Sequence, residues 1–255
     1  IPILTHSSFQ YDAIQYGYFT RKGGVSHNAF DSLNCGIGLG DLLDHVYENH
    51  RRIAVAFNLD ATKLLFCKQI HSDKVVTVTA PWERHVRPEA DAMVTKEKGI
   101  ALAVMTADCA PVLFYDTAHH IIGAVHSGWK GAVNGVLEET IAAIEALGGS
   151  AQSIQACIGP CIQQSSYTVR DDLYHKFTKR DPLNSKFFVA NAEVDSFQFD
   201  MPGYIEHRLQ QSGIEHVYKM DQDTKSDEEQ FFSFRRKTLQ NELSNGVQMS
   251  VITLR

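Results

Sequence analysis

The strongest constraint on how this chain folds is a set of short segments that are apolar at nearly every position. Residues 64–70, 75–79, 100–106, 112–115, 121–125 and 154–158 are short, apolar and rich in β-branched side chains, and several are apolar at every position. Segments of this length and composition read as strands. A strand without an alternating polar face is buried on both sides, so the sheet must be covered by other layers. Between Lys130 and Leu147 the apolar positions Val133, Val136, Leu137, Ile141 and Ile144 follow helical spacing, and Gly148 and Gly149 end the run. Further helical patterns lie over 46–57, 171–177 and 203–211. Helices and strands are interspersed without strict alternation, which predicts an α+β fold with mixed β-sheets covered by helices. With 255 residues and no linker, low-complexity stretch or repeat, the chain reads as a single domain over residues 1–255.

Composition narrows the class of function. The chain is 44% hydrophobic and carries a net charge of -6, which argues against a general affinity for nucleic acid. A local basic pocket for one small anion remains compatible with it. The longest apolar stretch, 99–115, is interrupted by Asp108 and Pro111, so no membrane span is expected. No basic region followed by an apolar core and cleavage site opens the chain, and a cytoplasmic location is expected; a start at Ile1 leaves a removed leader open. Five cysteines, Cys35, Cys67, Cys109, Cys157 and Cys161, are odd in number and sparse, fitting reduced thiols rather than a disulfide framework.

Three apolar strands each end near a metal-binding residue: His71 after 64–70, Cys109 after 100–106 and His126 after 121–125. Singly, each has an ordinary structural reading, as a hydrogen-bonded histidine or a core thiol. Together, two imidazoles and a thiolate form a set suited to zinc, and three protein ligands leave a position open for chemistry. The strand-to-helix segment His126-Ser127-Gly128-Trp129-Lys130-Gly131 offers unpaired N–H groups and the charge of Lys130 to an anion, or serves as a plain turn with Lys130 solvated. Asp108 could orient a histidine ligand or a substrate hydroxyl, or cap the turn before Pro111. Arg21 stands in a basic, glycine-rich loop, 20–26, that could cradle phosphate but matches no phosphate-loop spacing. Cys157 and Cys161 read as incidental thiols of a turn, and 231–236 (Phe-Phe-Ser-Phe-Arg-Arg) as a strand edge in which Arg235 and Arg236 form a solvated face, with either one a candidate anion contact.

These blocks, from Thr20-Arg21-Lys22-Gly23-Gly24 through Gln69-Ile70-His71, Asp91-Ala92-Met93-Val94-Thr95, Ala107-Asp108-Cys109, His126 to Gly131 and Ile158-Gly159-Pro160 to Phe231–Arg236, resemble the YfiH-like family. That family is variously described as multicopper polyphenol oxidase (laccase), peptidoglycan editing factor and purine nucleoside phosphorylase. The resemblance implies a mixed fold related to a toxin-type cysteine hydrolase domain, with zinc held by His71, Cys109 and His126. It also implies phosphorolysis of adenosine, inosine, guanosine and methylthioadenosine, with an added adenosine deaminase activity. On this reading His71, Cys109, His126 and Asp108 are the catalytic set, Arg21 and Lys130 bind phosphate, and the partners are purine nucleosides and phosphate. Two positions depart from the family: its common Ala is Ser127 here, and its common Arg is Lys130, which cannot make a bidentate phosphate contact. The stretch 237–255 lacks the expected glycine-rich pattern, and its role is open. Three alternatives stand beside this reading: a metal-independent cysteine hydrolase using Cys109 as nucleophile, a copper-dependent polyphenol oxidase, and a metal-binding nucleoside sensor without catalysis. The preferred nucleoside and the oligomeric state are not assigned.

Overall fold

The all-apolar segments become the inner strands of two sheets stacked face to face. The computed structural model describes residues 1–255. A five-stranded sheet contains β1 (Ile3–Leu4), β2 (Ile14–Phe19), β3 (Leu64–Leu65), β6 (Ala101–Thr106) and β14 (Gln248–Leu254), in the order β1-β2-β14-β6-β3. A six-stranded sheet contains β4 (Val75–Thr77), β5 (Ala92–Thr95), β7 (Ala110–Asp116), β8 (Ile121–Ser127), β9 (Ile154–Ile158) and β13 (His216–Lys219), in the order β13-β9-β7-β8-β5-β4. A small three-stranded sheet is formed by β10 (Thr168–Arg170), β11 (Phe188–Ala190) and β12 (Ser196–Phe199).

The period-two alternation of a strand explains why these segments can be apolar throughout. In β6, Leu102 and Val104 point into the layer between the two sheets, where they meet Leu113, Ile122 and Ala124 of the other sheet. Ala101 and Ala103 point the opposite way, against Ile53 and Ala54 of α1 (Leu43–Ala56) and Phe57 just after it. In β7, Val112 and Phe114 face outward onto Val136, Leu137, Ile141 and Ile144 of α3 (Val136–Ala146). The layers therefore run helix, sheet, sheet, helix. Both faces of the two large sheets are buried along their inner strands although most strand pairs are antiparallel; only β3 with β6, β4 with β5 and β9 with β13 run parallel. No helix is long and apolar enough to cross a membrane.

Three sequence expectations are corrected. The helix predicted over 130–147 is two helices, α2 (Trp129–Asn134) and α3, separated by Gly135 at φ 111°, a left-handed conformation that glycine adopts without steric cost. The strand predicted over 64–70 stops at Leu65; beyond it the side-chain amide of Gln69 accepts from Met105 N (2.8 Å) and donates to Met105 O (2.7 Å), standing in for a strand peptide. The strand edge expected at 231–236 is the start of α6 (Phe234–Gln240), whose cap is Ser233 accepting from Arg236 N. Within 237–255, whose role the sequence leaves open, β14 forms the middle strand of the five-stranded sheet. The patterns at 171–177 and 203–211 correspond to α4 (Asp171–Arg180) and α5 (Met201–Gln211).

Candidate metal centre

Asp91, the residue immediately before β5, organises one rim of the six-stranded sheet. Its carboxylate accepts from the backbone N–H groups of Ile70 (3.2 Å), His71 (3.0 Å) and Ser72 (2.6 Å) and from the Ser72 hydroxyl (2.8 Å). These bonds hold the 70–72 loop in place, with His71 itself at φ 59°, an uncommon conformation for a non-glycine residue. The same carboxylate accepts from His126 Nδ1 at 2.8 Å, and Asp91 O accepts from His126 N at 2.7 Å. Although burial would raise the Asp91 carboxyl, the bonds from His126 and Ser72 outweigh it and bring it down to about 2. An ionised Asp91 keeps the proton on His126 Nδ1, so Nε2 is the nitrogen left for a ligand.

Cys109 reaches the same place from the turn between β6 and β7, where Asp108 at φ 89° turns the chain sharply. Its Sγ lies 4.0 Å from His71 Nε2, and the two imidazole rings stand nearly perpendicular, at 81°, with centroids 4.7 Å apart. Burial would push the Cys109 thiol up, but the charge and hydrogen bonds of His126 and His71 hold it at about 6. Burial would lower His126; Cys109 and Asp91 instead raise it to about 9. Thiolate and imidazolium thus stabilise each other. The other four cysteines are buried and free, and desolvation pushes each of their thiols up, Cys67 and Cys157 to about 12.

One ligand atom from each of His71, Cys109 and His126 lies within 4.8 Å of the others, and no other such group of ligands occurs in the chain. Zinc bonds of about 2.0–2.3 Å need ligand atoms roughly 3.3–3.7 Å apart, so closing on an ion takes a small inward movement of side chains. Space is left for it by Gly128: a Cβ there would stand 2.9 Å from Cys109 Sγ and 3.1 Å from His71 Cδ2. The donor set, the ionised partner on the far nitrogen of His126 and this bare glycine all fit a metal ion.

The remaining expected site residues divide. Lys130 lines the same cavity of about 750 Å³ as the three ligands. Arg21 does not: its guanidinium donates to the carbonyls of Asp31 (2.7 Å) and Glu228 (3.1 Å) and lies over the Phe232 ring, so it ties loops together. Asp108 lines the cavity, but its carboxylate already accepts from Thr224 Oγ1 (2.8 Å), Ser233 Oγ (2.9 Å) and Arg235 N (2.6 Å). It fastens the 224–235 segment beside Cys109 instead of facing a ribose. Ligand placement also differs from the expected strand ends, since His71 sits in a loop and His126 within β8. Sequence reasoning missed Asp91, whose signal was a carboxylate at the start of a fully buried strand, where a charge requires partners.

Residues 15–255 match the family model described as multi-copper polyphenol oxidoreductase laccase. The purine nucleoside phosphorylase YfiH of Shigella flexneri is 37% identical over 217 residues, covering 85% of this chain and 86% of that protein. The purine nucleoside phosphorylase RC0672 of Rickettsia conorii is 33% identical over 243 residues, covering 95% and 97%. Among solved structures, Neisseria meningitidis protein NMB0706 (family DUF152) superposes with a TM-score of 0.89 at 32% identity, covering 99% of this chain and 98% of that one.

Proposed function

The chain belongs to the multi-copper polyphenol oxidoreductase laccase family, and within it we propose a zinc-dependent purine nucleoside phosphorylase with an associated adenosine deaminase activity. Its substrates on this reading are adenosine, inosine, guanosine and methylthioadenosine. A phosphate oxygen forms a bond to the anomeric carbon as the bond from that carbon to the purine breaks, giving free base and ribose 1-phosphate. His71 Nε2, Cys109 Sγ and His126 Nε2 would hold the metal, and Asp91 fixes the protonation and aim of His126. When bound, zinc supplies Lewis acidity toward an oxygen of phosphate or water. Lys130 places positive charge on the cavity wall for the anion. The names of the relatives support the nucleoside chemistry. Copper oxidation has less support, because a multicopper centre couples several ions and this chain gathers a single three-ligand group. Five free thiols support a reducing, cytoplasmic setting.

A second reading draws on the line Asp91–His126–Cys109, which has the order of acid, base and thiolate in a cysteine hydrolase acting on amides. One observation favours the metal: the second imidazole, His71, which stands crosswise to His126 with its Nε2 4.0 Å from the sulfur. A triad has no use for it, whereas a three-ligand metal site requires it.

The test is a product assay on metal-loaded protein, with each nucleoside, with and without phosphate. Phosphate-dependent release of base with ribose 1-phosphate, lost on strong chelation and restored by zinc, is the expected result. Cys109→Ala should lose bound metal and reduce turnover by at least about 1,000-fold, consistent with removal of a catalytic metal. Wild-type turnover in that variant would contradict the metal assignment, and activity that survives chelation with a covalent adduct on Cys109 would establish the hydrolase reading instead.

A further inference from the structure

Phosphate binding assigned to Lys130 alone leaves the rest of the cavity lining unexplained. There Arg235 and Tyr167 face the same space as the three ligands. We infer that Arg235 is the residue that grips the phosphate co-substrate, from a position locked beside Cys109. The inference rests on the phosphorylase reading and deepens it.

Three contacts hold Arg235 in place. Its backbone N–H donates to Asp108 Oδ2 at 2.6 Å, and Asp108 is the covalent neighbour of Cys109. Its Nη1 donates to Thr168 O at 2.8 Å, and its guanidinium carbon lies 5.2 Å from the centroid of the Tyr167 ring. One of five guanidinium N–H donors is thereby used, and the rest of the fork has no protein acceptor. The arginines paired with carboxylates are Arg51, Arg52, Arg170 and Arg208; Arg235 is not one of them. The adjacent arginine shows the contrast. Arg236 donates to the carbonyls of Thr224, Lys225 and Phe231 and acts as a structural clamp.

A part-buried guanidinium without a counter-charge is costly in solvation, and an entering anion offsets that cost. Its planar fork matches two phosphate oxygens at once, whereas Lys130 is exposed and offers a mobile point charge. Arg235 thus supplies the bidentate contact that Lys130, standing where the family commonly has Arg, cannot make. Tyr167 acts through Arg235 as a positioning residue, its ring supporting the guanidinium face.

The experiment compares wild type, Arg235→Gln and Arg235→Lys as zinc-loaded proteins. KM for phosphate and for inosine are measured separately, and binding of inorganic phosphate is followed by phosphorus NMR titration without nucleoside. Loss of a charged bidentate contact should raise the phosphate KM and Kd about 10- to 100-fold in Arg235→Gln. Arg235→Lys, which keeps charge but not the fork, should fall between, and the inosine KM should stay within about 3-fold because the contact is to the other substrate. Unchanged phosphate KM and Kd, or equal losses for both substrates, would overturn the inference. Should Arg235→Gln not fold, Arg235→Lys decides by the same criterion. Should wild type release no ribose 1-phosphate, the phosphorylase reading fails, and the titration still decides for Arg235: weaker phosphate binding in the variants upholds it, and equal or absent binding in wild type overturns it.

Discussion

At the scale of single residues, the centre depends on groups that do not touch a substrate. Asp91 both holds the His71 loop and directs His126, so Asp91→Asn keeps the size but weakens the pull on the His126 proton. Zinc affinity should fall about 10- to 100-fold, as is usual for the partner of a histidine ligand, and competition with a chelating dye would measure it. Unchanged affinity would show that the backbone alone aims His126. Ser127 gives an independent prediction. Its hydroxyl is fully buried and has no hydrogen-bond partner, since its side chain alternates with His126 and lies on the opposite side of β8. Ser127→Ala removes that cost and should stabilise the protein by about 1 kcal/mol, read from denaturant melts, with zinc affinity unchanged.

At the scale of elements, α1 carries a buried titratable group remote from the centre. His50 packs on Phe66 and its Nε2 donates to Cys35 O at 2.8 Å, while Nδ1 is buried without a partner. Burial, with the nearby Arg84 and Arg87 charges adding to it, lowers its pKa to about 4 from 6.5. The unfolded chain therefore binds this proton more readily, and stability present above about pH 6.5 is lost as pH falls toward 4, by a total on the order of 3 kcal/mol. Urea melts at intervals from pH 7.5 to 4.5 should show this decline, and His50→Gln should flatten it in part; equal slopes would remove His50 as its source. The elements also show what a sequence can reveal. The inner strands were legible because burial on both faces leaves no polar position, and α1, α4 and α5 because one face only is buried. The break at Gly135, the substitution of Gln69 for a strand peptide and the helical start at Phe234 depend on partners distant in the chain. The grouping of His71, Cys109 and His126 was legible from residue type, whereas Asp91 and the different fates of Arg21 and Arg235 were not, because a charge shows its role only through what it faces.

At the scale of the whole molecule, two stacked sheets bring a loop, a turn and a strand end to one rim, where residues of the C-terminal segment form part of the cavity wall. Asp108 and β14 link that wall to the frame, so the chain's last third completes a site begun by residues 71–130. On the function proposed above, this single three-ligand group makes the protein a metal-dependent phosphorylase. The most direct test follows inosine by chromatography with protein stripped of metal, reloaded with one equivalent of zinc, and given or denied phosphate. Hypoxanthine and ribose 1-phosphate are expected in equal amounts only when zinc and phosphate are both present; hypoxanthine formed in the absence of zinc or of phosphate, or no product with both, would contradict that function.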